Sequence, residues 1–116
     1  MNADNPQLNM VIISQLREIE SMMPGTFSKL ISEFATDGDQ RITAIEAAGA
    51  ADLARVAAEA HSLKGAGGSI GAAEVARVAA VIERDAKAGK WAAEQVPELR
   101  AAFKGVLPQL RAVIGG

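Results

Sequence analysis

Apolar residues recur at alternating spacings of three and four positions along most of this 116-residue chain, and this periodicity restricts the folds that it can adopt. Residues spaced in this way share one face of an α-helix, whereas a half-buried strand would require strict alternation. Three phenylalanines, one tryptophan and no tyrosine also favour helix over sheet. The chain is therefore predicted to be all-α. The clearest stripe consists of Leu53, Val56, Ala60, Leu63, Gly67 and Ile70.

Proline, glycine and capping residues divide the periodic pattern into separate helices. Asn5 followed by Pro6 resembles an N-cap with proline at the first helical position. The predicted first helix runs from there to about Ser21, and Pro24 and Gly25 end it. Its predicted apolar face consists of Ile12, Leu16, Ile19 and Met23.

A second helix is predicted from Thr26 to Ala48, although the run Asp37-Gly38-Asp39 interrupts its pattern. The apolar phase before this run resumes after it, so we expect a continuous helix with a weak point that faces solvent. The residues expected to face inward are Phe27, Leu30, Ile31, Phe34, Ile42 and Ile45.

Three further helices complete the pattern. Asp52 is a suitable N-cap for the helix that carries the Leu53 stripe, and Gly71 ends that helix. The next helix is predicted over residues 72–88. The last begins near Trp91 and is expected to kink at Pro108, which lacks the N–H group that a helix interior needs.

Short connections between amphipathic helices favour antiparallel neighbours. We therefore predict an antiparallel, up-down four-helix bundle with an additional N-terminal helix packed across one end. Residues 1–5 are predicted to form a flexible N-terminus, and residues 6–114 to form a single helical bundle domain, because this length suits one compact core.

Composition excludes several classes of function. The formal net charge of −2 gives no positive field, so neither nucleic acid nor a membrane surface is an expected partner. The absence of cysteine and the presence of one histidine argue against disulfides, thiolate chemistry and a metal site. The early apolar run Met10–Ile13 is far below the roughly 20 residues that span a bilayer, and we expect no targeting segment. A cytoplasmic location is the corresponding expectation.

The single histidine, His61, lies off the apolar stripe of its helix, about 130° around the axis at 100° per residue. It is therefore predicted to face solvent. Its neighbours one or two turns away are alanines, Gly65 and Gly68, together with Lys64. An exposed imidazole on a surface of small residues suits a nucleophile that a protein-sized reactant approaches, and Lys64 would offset the charge of an anionic group such as phosphoryl.

The run AHSLKGAGGSIG at residues 60–71 resembles the signature of histidine-containing phosphotransfer (HPt) domains. The resemblance extends over roughly residues 27–113. It implies a four-helix bundle, with His61 as the phosphoacceptor and Lys64 as the lysine that neutralises phosphate charge. It also implies that Gly65 is the small residue that lets a receiver domain dock, and on geometric grounds Gly68 extends this clearance.

Two residues of the following helix leave alternatives open. Glu83 falls where several family members carry a glutamine that hydrogen-bonds toward the histidine. Its carboxylate would accept the imidazole N–H and fix the tautomer, but it would also repel phosphoryl, and it equally suits a surface ion pair with Lys87 four residues later. Lys87 lies near a position where some relatives place a basic residue that faces the receiver, although a solvated lysine is the commoner case.

The resemblance implies a phosphorelay carrier that is not itself an enzyme. Its expected partners are the receiver domains of a hybrid histidine kinase and of a response regulator. We expect no cofactor on this chain, because the face around His61 lacks a carboxylate cluster, and we expect Mg²⁺ on the partner receiver. The chain is expected to be a monomer. An exposed imidazole is largely unprotonated near neutral pH, so no dedicated general base is required.

Three other functions fit the sequence less well than a phosphorelay carrier does. A histidine-kinase dimerisation domain usually has an acidic residue and then a proline close after its histidine, whereas Ser62 follows here and the next proline is Pro97. A non-catalytic adaptor bundle would use the small-residue face for packing alone. A hydrolase is the weakest alternative, because no spacing indicates a serine paired with an oriented histidine.

Overall fold

The computed structural model describes residues 7–115, and within that range it contains helices and no β-strand. The all-α prediction is confirmed. The predicted flexible segment 1–5 and the predicted helix start at Asn5 and Pro6 lie outside the described residues. The five helices are α1 (Met10–Met22), α2 (Thr26–Ala48), α3 (Leu53–Ile70), α4 (Ala73–Lys87) and α5 (Gln95–Gly115), with a 3-10 turn over Gly49–Ala51 between α2 and α3.

Helix α1 begins later than the sequence predicted, and only part of its predicted apolar face is buried, because Ile19 and Met23 are exposed. Asn9 is its N-cap, and the Asn9 side chain accepts hydrogen bonds from the backbone N–H groups of Val11 and Ile12. Ile13 and Leu16 are its buried residues, whereas Ile19, which was predicted to face inward, is exposed. The Ile13 side chain, which was not predicted to face inward, lies close to the backbone turn at Gly71.

Helix α2 is continuous through Asp37-Gly38-Asp39, as predicted, but Gly38 does not face solvent. Gly38 is buried under the ring of Phe103 on α5, so that a Cβ atom at this position would lie 2.9 Å from Phe103 Cζ. The glycine is therefore a packing residue. Leu30 also differs from its prediction, because 38% of its surface is exposed.

Helices α3 and α4 approach each other closely at the turn that joins them. Gly67 is buried, and a Cβ atom there would lie 3.3 Å from the backbone of both Ala72 and Ala76. Gly71 has a φ of 82°, a left-handed conformation that glycine adopts without strain, and it ends α3 as predicted. These glycines bring the two helix backbones together and so fix which side chains of α3 and α4 can meet.

Helix α5 begins at Gln95 rather than near Trp91. Residues 91–94 form turns, in which the Ala92 carbonyl accepts hydrogen bonds from the N–H groups of Gln95 and Val96. Pro97 then lies in the first helical turn, where its missing N–H group costs nothing. Pro108 lies inside α5, and the kink predicted there stays a prediction.

Packing contacts among α2, α3, α4 and α5 enclose the core. Helix α2 packs on α3, α3 on α4, α4 on α5 and α5 on α2, whereas α1 contacts α2, α3 and α5. The side chains enclosed by these helices include Phe27, Ile42, Leu63, Ile82 and Leu99, all almost completely buried. Within residues 7–115, no helix has the length and apolar content that crossing a bilayer requires.

Candidate functional site

His61 lies in the middle of α3 on the side that turns away from the core. The buried residues of the helix are Val56, Ala60, Leu63, Gly67 and Ile70. The His61 side chain is 66% exposed, so the predicted orientation toward solvent is confirmed. The helix geometry therefore presents the imidazole to the surface while the opposite side of the same helix anchors it to the core.

The Nδ1 atom of His61 lies 2.9 Å from the Oε2 atom of Glu83 on α4. An ionised carboxylate can only accept hydrogen bonds, so Nδ1 carries a proton, and in the neutral ring Nε2 holds the lone pair. Nε2 has no hydrogen-bond partner within residues 7–115. The contact thus leaves the outer nitrogen as an accessible nucleophile.

Glu83 is a buried carboxylate with three partners. Its side chain is 6% exposed, and besides His61 it binds the Nζ atom of Lys64 at 2.8 Å through Oε1 and the Nζ atom of Lys87 at 2.8 Å through Oε2. The hydrogen bond from Lys64, followed by those from Lys87 and His61, outweighs the opposing effect of burial and lowers the pKa of Glu83 from 4.5 to about 2. The carboxylate is therefore fully ionised near neutral pH.

Gly65 and Gly68 continue the exposed side of α3 beyond His61. A Cβ atom added at either position would meet nothing within 4 Å, so the surface is open there. The Ser69 hydroxyl folds back to donate a hydrogen bond to the Gly65 carbonyl at 3.0 Å, and it keeps that side chain close to the helix. The result is a low surface beside the imidazole that another protein can approach closely.

An open groove of about 320 Å³ lies between α2 and α3 on one side of this low surface. Its lining is mainly apolar, with Glu33 and Asp37 at the α2 side. The exposed Leu30 belongs to the same lining. Its apolar side chain therefore lies at the groove and not in the core, where it was predicted to be. The residues that line the groove are Leu30, Glu33, Phe34, Asp37, Ala66, Ser69 and Ile70.

The structure brings together four of the residues singled out in the sequence, namely His61, Lys64, Glu83 and Lys87. Both alternatives for Glu83 occur at once, because it contacts the imidazole and Lys87 with the same oxygen. It is buried, however, rather than on the surface. The bond from Lys64 to Glu83 was not predicted. Only the register of α3 against α4 could have indicated it, and Gly67 is the local signal of that register.

The arrangement offers one exposed nucleophilic nitrogen beside two ammonium groups, which suits the acceptance of an anionic group. Among the described residues, no three acidic or histidine side chains are grouped as a metal site would require. Glu83 itself is occupied by its three partners. The site therefore combines an exposed Nε2 atom with two ammonium groups held at the neighbouring carboxylate.

Comparisons with known proteins give two matches. A family model described as the Hpt domain matches residues 29–112. The fold is similar to the crystal structure of histidine-containing phosphotransfer protein B (HptB) from Pseudomonas aeruginosa PAO1, with a TM-score of 0.83 and 23% sequence identity. That similarity covers 94% of this chain and 95% of the other. A comparison with curated protein sequences found no match.

Proposed function

The chain belongs to the histidine-containing phosphotransfer family, and from this premise we propose that His61 carries a phosphoryl group between two receiver domains. HPt proteins are phosphocarriers rather than enzymes. The proposed donor is the phosphorylated aspartate of a hybrid histidine kinase's receiver domain, and the proposed acceptor is the receiver domain of a response regulator. The observation that carries the proposal is the exposed imidazole whose Nδ1 atom is held by the buried Glu83, which leaves Nε2 open.

The proposed transfer is a displacement at phosphorus. The Nε2 lone pair attacks the phosphorus atom of the aspartyl phosphate, the bond from phosphorus to the acyl oxygen breaks, and its electron pair leaves with the aspartate carboxylate. Nδ1 keeps its proton, because it donates a hydrogen bond to the Glu83 carboxylate. In this scheme Mg²⁺ belongs to the receiver domain, where it neutralises charge on the phosphoryl oxygens.

Lys64 has the proposed role of stabilising the phosphoryl group on His61. An ammonium group has three N–H donors, and one of them is used by Glu83. The remaining donors can bind a phosphoryl oxygen while the bond to Glu83 persists, so Lys64 can bridge the two anions. Lys87 shares the same carboxylate and is 66% exposed, which leaves it accessible to a docked receiver.

The receiver is proposed to dock over Gly65 and Gly68, with the apolar groove between α2 and α3 at one side of the contact. The open space above both glycines supports this placement. The proposal assumes the predicted antiparallel, up-down bundle with α1 across one end, and a monomer that works in the cytoplasm. The closed ring of helix contacts and the hydrogen bond from Asn9 N–H to the Gly71 carbonyl at 2.7 Å support that topology.

The test is a transfer assay with a phosphorylated receiver domain, in which phosphate that is labile to acid and stable to alkali is measured on this chain. We expect transfer to the wild type, none to His61→Gln, and slower transfer to Lys64→Ala by about tenfold, the loss of one charge-assisted hydrogen bond. Circular dichroism should show that both variants keep the fold. Transfer that persists in His61→Gln would refute the proposal, and receiver binding without transfer would favour an adaptor.

A further inference from the structure

The cluster around Glu83 contains more positive than negative charge. One carboxylate binds two ammonium groups, Lys64 and Lys87, each at 2.8 Å, so the group next to the imidazole has a net charge of plus one. The carboxylate of this group is the member that contacts the ring, with its Oε2 atom 2.9 Å from Nδ1.

Phosphorylation at Nε2 would reverse the sign of this charge. A phosphoryl group adds close to two negative charges at neutral pH. Together with the carboxylate and the two ammonium groups it gives a net charge of about minus one around the ring. The phosphoryl oxygens also compete for Lys64 and Lys87, and this leaves more of the Glu83 charge to the Nδ1 proton.

The proton on Nδ1 determines how easily the phosphoryl group leaves. When Nε2 of a neutral imidazole attacks phosphorus and Nδ1 keeps its proton, the product ring is an imidazolium. In water this ring can lose the Nδ1 proton and become neutral, and a neutral ring would have to depart as an imidazolide anion. An imidazolium departs as neutral imidazole, with the electron pair of the P–N bond on Nε2, so it is the better leaving group.

We propose that Glu83, Lys64 and Lys87 form a charge-reversing cluster: once His61 is phosphorylated, the charge around the ring becomes negative and Glu83 holds the proton on Nδ1, so that the phosphoryl group leaves from an imidazolium. This inference rests on the proposed function. A carboxylate is needed for it, because the neutral amide of glutamine at this position would supply no charge to hold the proton. Glu83 is in this sense a positioning residue that acts through His61.

Within residues 7–115, no carboxylate other than Glu83 forms an ion pair with His61, Lys64 or Lys87. On α3, Glu59 binds Arg41 of α2 at 3.0 Å and Arg55 at 3.1 Å, and Arg41 also binds Asp37. These four form their own network. No charged group of α1 or α2 within residues 7–115 forms a hydrogen bond or an ion pair with His61 or Glu83. The protonation of the phosphorylated ring should therefore depend on Glu83.

The experiment uses the full chain with ¹⁵N-labelled histidine, phosphorylated by phosphoramidate. The ¹⁵N shifts of Nδ1 and Nε2 are recorded from pH 6 to pH 9, and the rate of phosphate loss is measured at each pH. The variant is Glu83→Gln. The matched control is Glu74→Gln, which also removes an ion-paired carboxylate from α4 but at a site bonded to Arg77. Circular dichroism establishes that each variant is folded.

We expect the phosphorylated wild type and the control to keep a protonated Nδ1 at pH 8, and Glu83→Gln to have lost that proton. Phosphate loss at pH 8 should be about tenfold slower in Glu83→Gln, because a neutral acceptor replaces a charged one. If Glu83→Gln does not fold, the titration of the wild type decides alone. An unprotonated Nδ1 in the phosphorylated wild type at pH 8, or equal loss rates, would overturn the inference. Failure of phosphoramidate to modify His61 would refute the proposed function as well.

Discussion

The ionisation of Glu83 links the chemistry of the site to the stability of the fold. Its pKa falls from 4.5 to about 2 in the folded chain, chiefly through Lys64, so the folded state resists protonation at this carboxylate. Above pH 4.5 the carboxylate is ionised in both states and its stabilising effect is complete. As the pH falls from 4.5 toward 2, the unfolded chain binds the proton first, and this contribution to stability is lost.

We therefore predict that part of the acid sensitivity of this protein belongs to Glu83. The free energy of unfolding of the wild type, measured by urea denaturation from pH 6 to pH 2, should fall more steeply below pH 4.5 than that of Glu83→Gln. The comparison with Glu83→Gln separates this effect from that of Glu20, whose pKa is also lowered. The cause at Glu20 is the pair of hydrogen bonds donated by the backbone N–H groups of Gly25 and Phe27. Parallel curves for the two proteins would contradict the prediction.

At the residue scale, the sequence was sufficient for groups that depend on one helix. The position of His61 relative to the apolar stripe of α3 predicted its exposure, and the spacing of Gly65 and Gly68 predicted the open surface. The bond between Lys64 and Glu83 was not predictable in this way, because it joins two helices. The register of α3 against α4 depends on their close packing at Gly67. The periodicity within each helix carries no information about that packing.

At the scale of a helix, two glycines in regular helical positions have opposite roles. Gly68 is exposed with open space around it, whereas Gly38 lies under Phe103. Neither has a positive φ, so alanine is compatible with both backbones. Gly68→Ala should stabilise the protein by up to about 1 kcal/mol through helix propensity. Gly38→Ala should destabilise it by roughly 1–2 kcal/mol, because overpacking of the Phe103 contact exceeds that gain.

Urea denaturation of the two variants beside the wild type gives the comparison directly, since each replaces glycine with alanine inside a helix. The difference in sign is the prediction. Stabilisation of both variants would mean that the contact between Gly38 and Phe103 relaxes without cost, and destabilisation of both would mean that the surface at Gly68 is not open.

The elements themselves were predicted best where the helix signal is local. Helix α3 ends at Gly71 and begins after the Asp52 cap, both as the residues indicated. The predicted start of α2 at Thr26 is confirmed, although its N-cap residue, Gly25, has no side chain that could cap the helix. Glu20 of α1 instead accepts hydrogen bonds from the N–H groups of Gly25 and Phe27, at 2.9 and 2.8 Å. A cap supplied by the preceding helix has no signature at the helix start.

At the scale of the whole molecule, Arg100 and Arg77 form ion pairs between helices that do not involve α3. Arg100 of α5 binds Asp39 and Glu46 of α2, at 2.6 and 2.9 Å, and Arg77 of α4 binds Glu98 of α5 at 2.9 Å. These pairs occupy the charged faces of α2, α4 and α5. On the exposed side of α3, Gly65 and Gly68 have open space around them, so a partner meets little side-chain bulk there.

This difference in surface predicts that receiver docking and histidine chemistry can be separated by one substitution. Gly68→Arg places a long charged side chain on the low surface but leaves His61, Lys64 and Glu83 in place. Transfer from a phosphorylated receiver should fall at least about tenfold, because an unpaired charge buried in an interface costs more than about 1.4 kcal/mol. Phosphorylation by phosphoramidate should be unchanged, since a small donor needs no docking surface.

The control is Ala101→Arg, an exposed position on α5, which should leave both rates unchanged. If Gly68→Arg slowed both reactions equally, its effect would lie in the chemistry at His61. If it slowed neither, the receiver would dock elsewhere on the bundle.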